Sequence, residues 1–258
     1  MNQDERRLYL IQELLNERVE YQGIKIPQDK QSQKLLLRDL MNVRLPKKIH
    51  LQFYQVQDAY LKEEIKQKGI TCLDDLKPIQ EGIYLWKGDI TTLQCDAIVN
   101  AANSQMTGCY IPHHRCIDNC IHTYAGMQLR YQCSQMMKNQ GSEPTGHAKI
   151  TQAYNLPCRY IIHTVGPIID QQVTQHDQEL LISCYQSCLQ LAAAYGLESI
   201  AFCCISTGEF HFPQELAAYL AIKTIKAFLK KQTSIKKVIF NVFKEEDEHI
   251  YKQYLTSD

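Results

Sequence analysis

Ala97-Ile98-Val99-Asn100-Ala101-Ala102-Asn103 is a short apolar run that ends on two carboxamides. A run this short, bounded by polar turns, reads as a strand buried on both faces. Similar runs recur at Gly82-Ile83-Tyr84-Leu85-Trp86, Ala148-Lys149-Ile150-Thr151, Tyr160-Ile161-Ile162-His163, Ile200–Ile205 and Val238-Ile239-Phe240-Asn241-Val242. Helical patterns lie between them at about 116–138, 177–195 and 214–231, with a shorter one at 245–255. This alternation predicts a three-layer α/β/α domain around a mixed, largely parallel sheet. Ligands of such sheets collect beyond the carboxyl ends of the strands, so the turns after Val99 and Ile205 are the first places to expect chemistry.

Before Pro78 the pattern is different. Leu8, Ile11, Leu14 and Leu15 recur at helical spacing, as do Leu35, Leu36, Leu40 and Met41, and then Leu51, Tyr54, Leu61 and Ile65. Charges fill the remaining positions of the first stretch. Residues 1–75 therefore read as a helical N-terminal extension without a strand signal, and residues 76–258 as the α/β domain.

Lysine plus arginine balance aspartate plus glutamate at 28 each, which argues against a large phosphate-backbone footprint and so against nucleic acid. A hydrophobic content of 45% suffices for a substantial core. No apolar run approaches the roughly 20 residues of a membrane span, and the start lacks a signal-peptide core. A cytoplasmic protein is expected, with no membrane partner. Its 11 cysteines, an odd number, argue against a disulfide framework. Cys203 and Cys204 in an apolar strand, and Cys184 and Cys188 on a helix, read as small packing residues.

Gly108-Cys109-Tyr110-Ile111-Pro112-His113-His114-Arg115-Cys116 stands apart. Two cysteines and two histidines in eight residues offer the thiolate and imidazole donors that zinc prefers. Pro112 breaks helix, so Cys109 to His114 reads as a loop, with Cys116 at the next helix start, where the thiolate is favoured. Three protein ligands and an open position is the pattern of a catalytic zinc. The residues alone leave His113 and His114 as rivals. Asp118 follows, with His122 one turn on; the carboxylate suits water activation or a ribose hydroxyl, and His122 suits packing or orientation.

Two further turns carry polar groups. In Ser206-Thr207-Gly208-Glu209-Phe210-His211-Phe212-Pro213, small residues let backbone N–H groups approach an anion, and the phenylalanines suit the wall of a sugar or base. In Gly88-Asp89-Ile90-Thr91 the aspartate suits a backbone cap or an exocyclic amine.

In this order the segments resemble the macrodomain family over roughly residues 80–258. Gly88-Asp89-Ile90-Thr91 resembles its adenine-side motif, and Val99-Asn100-Ala101-Ala102-Asn103 its distal-ribose motif. Ile117-Asp118-Asn119-Cys120-Ile121-His122 with Ala125-Gly126 is similar to the catalytic helix start of MacroD-type hydrolases, and Ile205-Ser206-Thr207-Gly208 with Phe210 and Phe212 to the diphosphate loop. The glycine-rich run that MacroD-type enzymes carry before the aspartate is replaced here by Cys109–Cys116, which resembles a zinc-containing subgroup of bacteria and some fungi that also bears a helical extension.

That resemblance implies a Zn2+ cofactor on Cys109, His114 and Cys116, with Asp118 and Asn103 as catalytic residues. It implies ADP-ribose contacts from Asp89, Ile90, Asn103, Asp118, Asn119, Ser206, Thr207, Gly208, Glu209, Phe210 and Phe212. His211 departs from relatives that often have glycine. The implied activity is removal of mono-ADP-ribose from an aspartate- or glutamate-linked protein. A lipoyl-carrier protein of the glycine-cleavage type is the implied partner, linked to a sirtuin-like ADP-ribosyltransferase. A non-catalytic ADP-ribose reader and a hydrolase of small ADP-ribose esters are the rival expectations.

Overall fold

The computed structural model describes residues 1–256. Three helices open the chain: α1 (Gln3–Asn16), α2 (Lys30–Val43) and α3 (Leu51–Lys68). Each starts on a side-chain cap. Asn2 and Glu5 form a reciprocal capping box on α1, Asp29 accepts from Ser32 N–H on α2, and His50 accepts from Phe53 N–H on α3. Leu10, Ile11, Leu14, Leu37, Leu40, Phe53 and Leu61 close a small core between the helices, completed by Met127 from the α/β domain. Leu8, Leu35 and Leu51, expected on the apolar stripes, are exposed instead. Leu10 and Leu37 take the inward positions.

The extension is not purely helical. A two-residue strand, β1 (Thr71–Cys72), pairs in parallel with β4 (Leu93–Gln94) and laces the end of the extension to the following domain. So short a strand leaves no periodic signal.

The main sheet contains β2 (Pro78–Gln80), β3 (Ile83–Lys87), β5 (Ala97–Ala101), β6 (Ala148–Gln152), β7 (Tyr160–Thr164), β8 (Ser199–Phe202) and β9 (Lys237–Val242). Their order is β2-β3-β9-β8-β5-β7-β6. The five inner strands are parallel, and β2 and β6 pair antiparallel at the two edges. The mixed, largely parallel sheet expected from the strand–helix alternation is therefore present. Ala97, Ile98, Val99, Ile200, Ala201, Val238 and Ile239 are all fully buried, as strands covered on both faces require. Each fully buried Ile or Val side chain contributes on the order of 1.5–3 kcal/mol.

Helices α6 (Gln175–Ala194), α7 (Gln214–Leu229) and α8 (Glu245–Thr256) pack side by side in that order. On the other side, α4 (Ile117–Ala125) lies against β5 and α5 (Met127–Met137) against β6, with α2 and α3 outside α4. The helix expected over 116–138 is thus two helices. Gly126, at φ 100° and ψ 173°, closes α4 and opens α5 in a conformation open essentially to glycine alone. Both halves share one apolar pattern, so periodicity cannot see the break.

Because the inner strands run the same way, β3, β5 and β8 deliver the turns at Asp89, Asn103 and Ser206–Phe212 to one edge of the sheet. The site is assembled there.

Candidate functional site

The segment between β5 and α4 holds the first cluster. Gly108 enters it at φ 83°, and a Cβ there would lie 2.7 Å from the His122 ring. Only glycine lets the chain pass so close. The donor atoms of Cys109, His114 and Cys116 then lie within 4.8 Å of one another. Cys109 Sγ is 3.7 Å from His114 Nδ1. A tetrahedral zinc with ordinary Zn–S and Zn–N bonds holds its sulfur and nitrogen ligands about 3.6 Å apart, so this donor set fits the ion. His113 faces away, with its Nδ1 2.7 Å from Asp39 Oδ1. Of the two histidines, the fold brings His114 to the cysteines. Glu209 Oε1 lies 3.6 Å from His114 Nε2, on the far side of the ring, where a metal-bound histidine commonly meets a carboxylate.

Cys116 caps α4, its Sγ accepting from Asn119 N–H at 3.4 Å. The helix start does not win outright. Burial pushes the Cys116 thiol up to about 12, and the charges of Cys109 and Asp118 push the same way, against the Asn119 hydrogen bond. At the helix start desolvation therefore outweighs the Asn119 hydrogen bond, and the thiolate expected there is not favoured by the helix N-terminus by itself.

Asp118 sits in the first turn of α4 and is 5% exposed. Asn100 Nδ2 donates to its Oδ1 at 2.8 Å, and Asn103 Nδ2 donates to its Oδ2 at 3.2 Å. Burial pushes Asp118 up to about 6, while the Asn100 hydrogen bond and the Arg130 charge pull it down. A carboxylate so placed accepts a proton readily near neutral pH. Asn103 Nδ2 also reaches Gly108 O at 3.1 Å, tying Asp118 to the start of the cysteine loop.

Asn100 continues inward. The same Nδ2 is 3.1 Å from His163 Nδ1, and His163 Nε2 is 2.9 Å from Thr151 Oγ1. An amide hydrogen on Asn100 makes His163 Nδ1 the acceptor, which leaves Nε2–H to donate to Thr151. Burial holds His163 down at about 3, so the ring is neutral. His122, Cys133 and His163 also gather within 4.8 Å in the interior. His163 is already engaged by Asn100 and Thr151, and that group forms the packed floor behind Asp118.

At the loop after β8, Ser206 adopts φ 65° and His211 φ 57°. The turn closes through Phe212 N to Ser206 O at 2.9 Å and His211 N to Gly208 O at 3.0 Å. The N–H groups of Gly208, Glu209 and Phe210 donate to no other group among the described residues, a row of free donors suited to an anion. Phe210 is half-buried, but Phe212 is 1% exposed and packs in the main core. As a wall for a sugar it is corrected to an anchor beneath the loop.

At the third turn, Asp89 Oδ1 accepts from Thr91 N–H and Oγ–H, and Asp89 Oδ2 takes Lys68 Nζ at 2.8 Å. These bonds outweigh burial, which acts the other way, and hold Asp89 below the usual carboxylate range. Lys68 also lies 3.3 Å above the Tyr124 ring. Ile90 is buried, so only its backbone can face a ligand.

The family model described as Macro domain matches residues 99–221. A protein-ADP-ribose hydrolase of Treponema medium is 55% identical over 99% of this chain and its own whole length. The chain belongs to the macrodomain family. A protein-ADP-ribose hydrolase of Staphylococcus aureus (strain MSSA476) is 47% identical over 97% of this chain and 95% of its own. Among solved structures, the Trypanosoma brucei macrodomain in complex with ADP-ribose superposes at a TM-score of 0.66 with 29% identity. The match covers 82% of this chain and 93% of that one.

In this macrodomain, Asp89, Asn103, Asp118 and the 206–210 loop reach the same sheet edge, and the cysteine loop adjoins Asp118. Asn119, expected as a ligand contact, is fully buried and committed elsewhere. Its Nδ2 donates to Ile111 O at 3.0 Å and its Oδ1 accepts from Arg38. It is a brace for the cysteine loop. Sequence reasoning missed the grip of Asn100 on Asp118, and it missed Arg130, whose Nη2 donates to Cys109 O at 3.2 Å. Alternation along β5 turns Asn100 inward, and that was the available signal. Arg130 carried none.

Proposed function

We propose that this macrodomain hydrolyses the bond between ADP-ribose and a modified protein side chain, with a zinc ion on Cys109, His114 and Cys116 beside Asp118. The single observation that carries the reading is the junction of the two: a half-buried donor set of zinc-like dimensions tied through Gly108 and Asn103 to a carboxylate pushed up to about 6. Two hydrolases aligned over nearly the whole chain support it. A zinc ion held by Cys109, His114 and Cys116 would supply Lewis acidity toward an oxygen of the substrate or of water.

The chain's own residues do the rest. The N–H groups of Gly208–Phe210 hold the diphosphate, and Asp89 faces the adenine end. Asn100 and Asn103 fix both oxygens of Asp118, which takes a proton from the attacking water as its oxygen bonds the anomeric carbon and the protein carboxylate leaves with the electron pair of the broken bond. A carboxylate-linked ADP-ribose is the substrate class proposed, and a cytoplasmic protein is in keeping with the eleven free cysteines. The zinc-bearing subgroup that the cysteine loop resembles is linked to a sirtuin-like transferase, which makes a lipoyl-carrier protein the substrate to test first.

The test compares release of ADP-ribose from an aspartate-modified carrier by the wild type, Asp118→Ala and Cys116→Ala. Loss of turnover in both variants with the fold kept supports the reading. Negligible release by all three leaves an ADP-ribose reader. Unfolding of Cys116→Ala assigns the metal to structure.

A further inference from the structure

The cysteine loop is held from outside by the N-terminal extension. Arg38 on α2 donates through Nη2 to His114 O at 2.8 Å and to Asn119 Oδ1 at 3.0 Å, and it lies 3.5 Å from Cys120 Sγ. Four residues on, Asn42 is 1% exposed. Its Oδ1 accepts from His113 N–H at 3.0 Å, and its Nδ2 donates to Thr123 Oγ1 at 2.9 Å. Between them Asp39 takes the His113 ring at 2.7 Å. Positions 38, 39 and 42 share one face of a helix, so a single side of α2 meets the loop. His113 adopts φ 39°, a backbone conformation that persists only where its surroundings over-determine it. Its backbone and its ring are each fixed by α2.

The loop's other end is held by the same helix through a second arginine. Arg130 Nη1 donates to Met41 O, Asn42 O and Arg44 O at 3.1, 2.6 and 2.8 Å, capping the carboxyl end of α2. Arg130 Nη2 reaches Cys109 O, and its guanidinium lies 4.3 Å from the Tyr110 ring. Thus the carbonyls of two residues in the donor set, Cys109 and His114, are each bonded to an arginine that belongs to α2 or caps it.

We infer that α2 is a clamp on the metal loop, with Arg38, Asp39 and Asn42 as positioning residues that set the spacing of Cys109, His114 and Cys116. This rests on the zinc reading for its readout of metal retention, but the clamp itself is a statement about the loop. A helical domain that merely packed alongside would bury apolar surface. It would have no need for a side chain of α2 to bond a carbonyl in the donor set and to fix the strained residue beside it.

Two measurements test it on the full chain. The first is the rate of zinc release to a chromogenic chelator from wild type, Arg38→Met and Asn42→Ala, with Lys34→Met as control. Lys34 also lies on α2, where it pairs with Glu64 of α3 at 2.7 Å, away from the loop. Outer-shell losses of this kind weaken metal sites by about 10–100-fold, so release is expected to quicken about ten-fold in the two loop variants. A part-exposed ion pair is worth little, so the control stays within about two-fold of wild type. The second is amide hydrogen exchange across residues 109–116, expected to quicken in both loop variants and not in the control. Zinc-free wild type would sink the metal reading while leaving exchange to decide the clamp. Loop exchange no faster than in Lys34→Met overturns the clamp, as does zinc release that changes only as much as in the control. Should Arg38→Met not fold, Arg38→Lys keeps the charge, loses the fork and is expected to fall between.

Discussion

Asp118 is useful only because other side chains define it, and Asn100 is the one that holds it from below. Replacing Asn100 by alanine frees Asp118 Oδ1 and leaves the buried His163 Nδ1 without its donor. Turnover is expected to fall by about 10–100-fold, chiefly in kcat, with a stability loss of about 1–3 kcal/mol from the orphaned nitrogen. Steady-state kinetics on the modified carrier and a denaturant midpoint measure the two separately. His163 carries a pH prediction. Its pKa is about 3 in the folded chain against 6.5 when exposed, so the unfolded chain binds the extra proton between those values. Folding stability therefore falls as pH drops from about 6.5 toward 3, and is insensitive to this group above 6.5. Thermal melts at about pH 7 and about pH 4.5 should show that fall, and His163→Gln, which cannot be protonated, should narrow it. His211 at φ 57° makes a third case. Left-handed backbone costs a non-glycine residue about 1–2 kcal/mol, more than the roughly 0.5–1 kcal/mol of extra freedom that glycine brings to the unfolded chain. His211→Gly should melt no lower than the wild type, and His211→Val clearly lower.

At the scale of elements, the break between α4 and α5 falls where Gln57 of α3 and Asn155 crowd Gly126. Gly126→Ala forces a Cβ to within 2.7 Å of Gln57 Nε2 and 3.0 Å of Asn155 Nδ2, in a backbone region alanine does not tolerate. A loss on the order of 3 kcal/mol is expected, visible in urea unfolding, because α4, α5 and the extension all meet at this point. The inner strands were legible from Ile98, Val99, Ile200 and Ile239, whose apolar runs have no other stable use. The short strand Thr71–Cys72 was not, because it forms only when Leu93–Gln94 arrives from elsewhere in the chain. The single helix expected over 116–138 failed for a similar reason: Gly126 looks like a tolerable interior glycine until Gln57 and Asn155 crowd it.

At the scale of the whole molecule, the cysteine-loop donors lie outside both apolar cores. The extension's core and the core around the sheet include none of Cys109, His114 or Cys116. Chelation is therefore expected to leave far-UV circular dichroism unchanged while abolishing turnover, and re-addition of zinc to restore it. Loss of secondary structure on chelation would make the ion a fold determinant. Among the described residues no helix is long and apolar enough to cross a membrane.

The sequence by itself determined the layered sheet, the three turns at its edge and the cysteine–histidine segment, because each depends on local pattern: strand or helix periodicity, turn chemistry and donor type. Donor type and spacing left His113 and His114 as rivals, and tertiary structure separates them, since His113 is taken by Asp39 and His114 Nδ1 lies beside Cys109 Sγ. Tertiary structure also decided that Phe212 and Asn119 serve the interior, that desolvation outweighs the Asn119 hydrogen bond at Cys116, and that side chains of α2 bond the loop. Those outcomes depend on groups that lie up to 89 residues apart in the chain, as Met41 and Arg130 do. Contacts of that range leave no trace in the order of residues until the chain has folded.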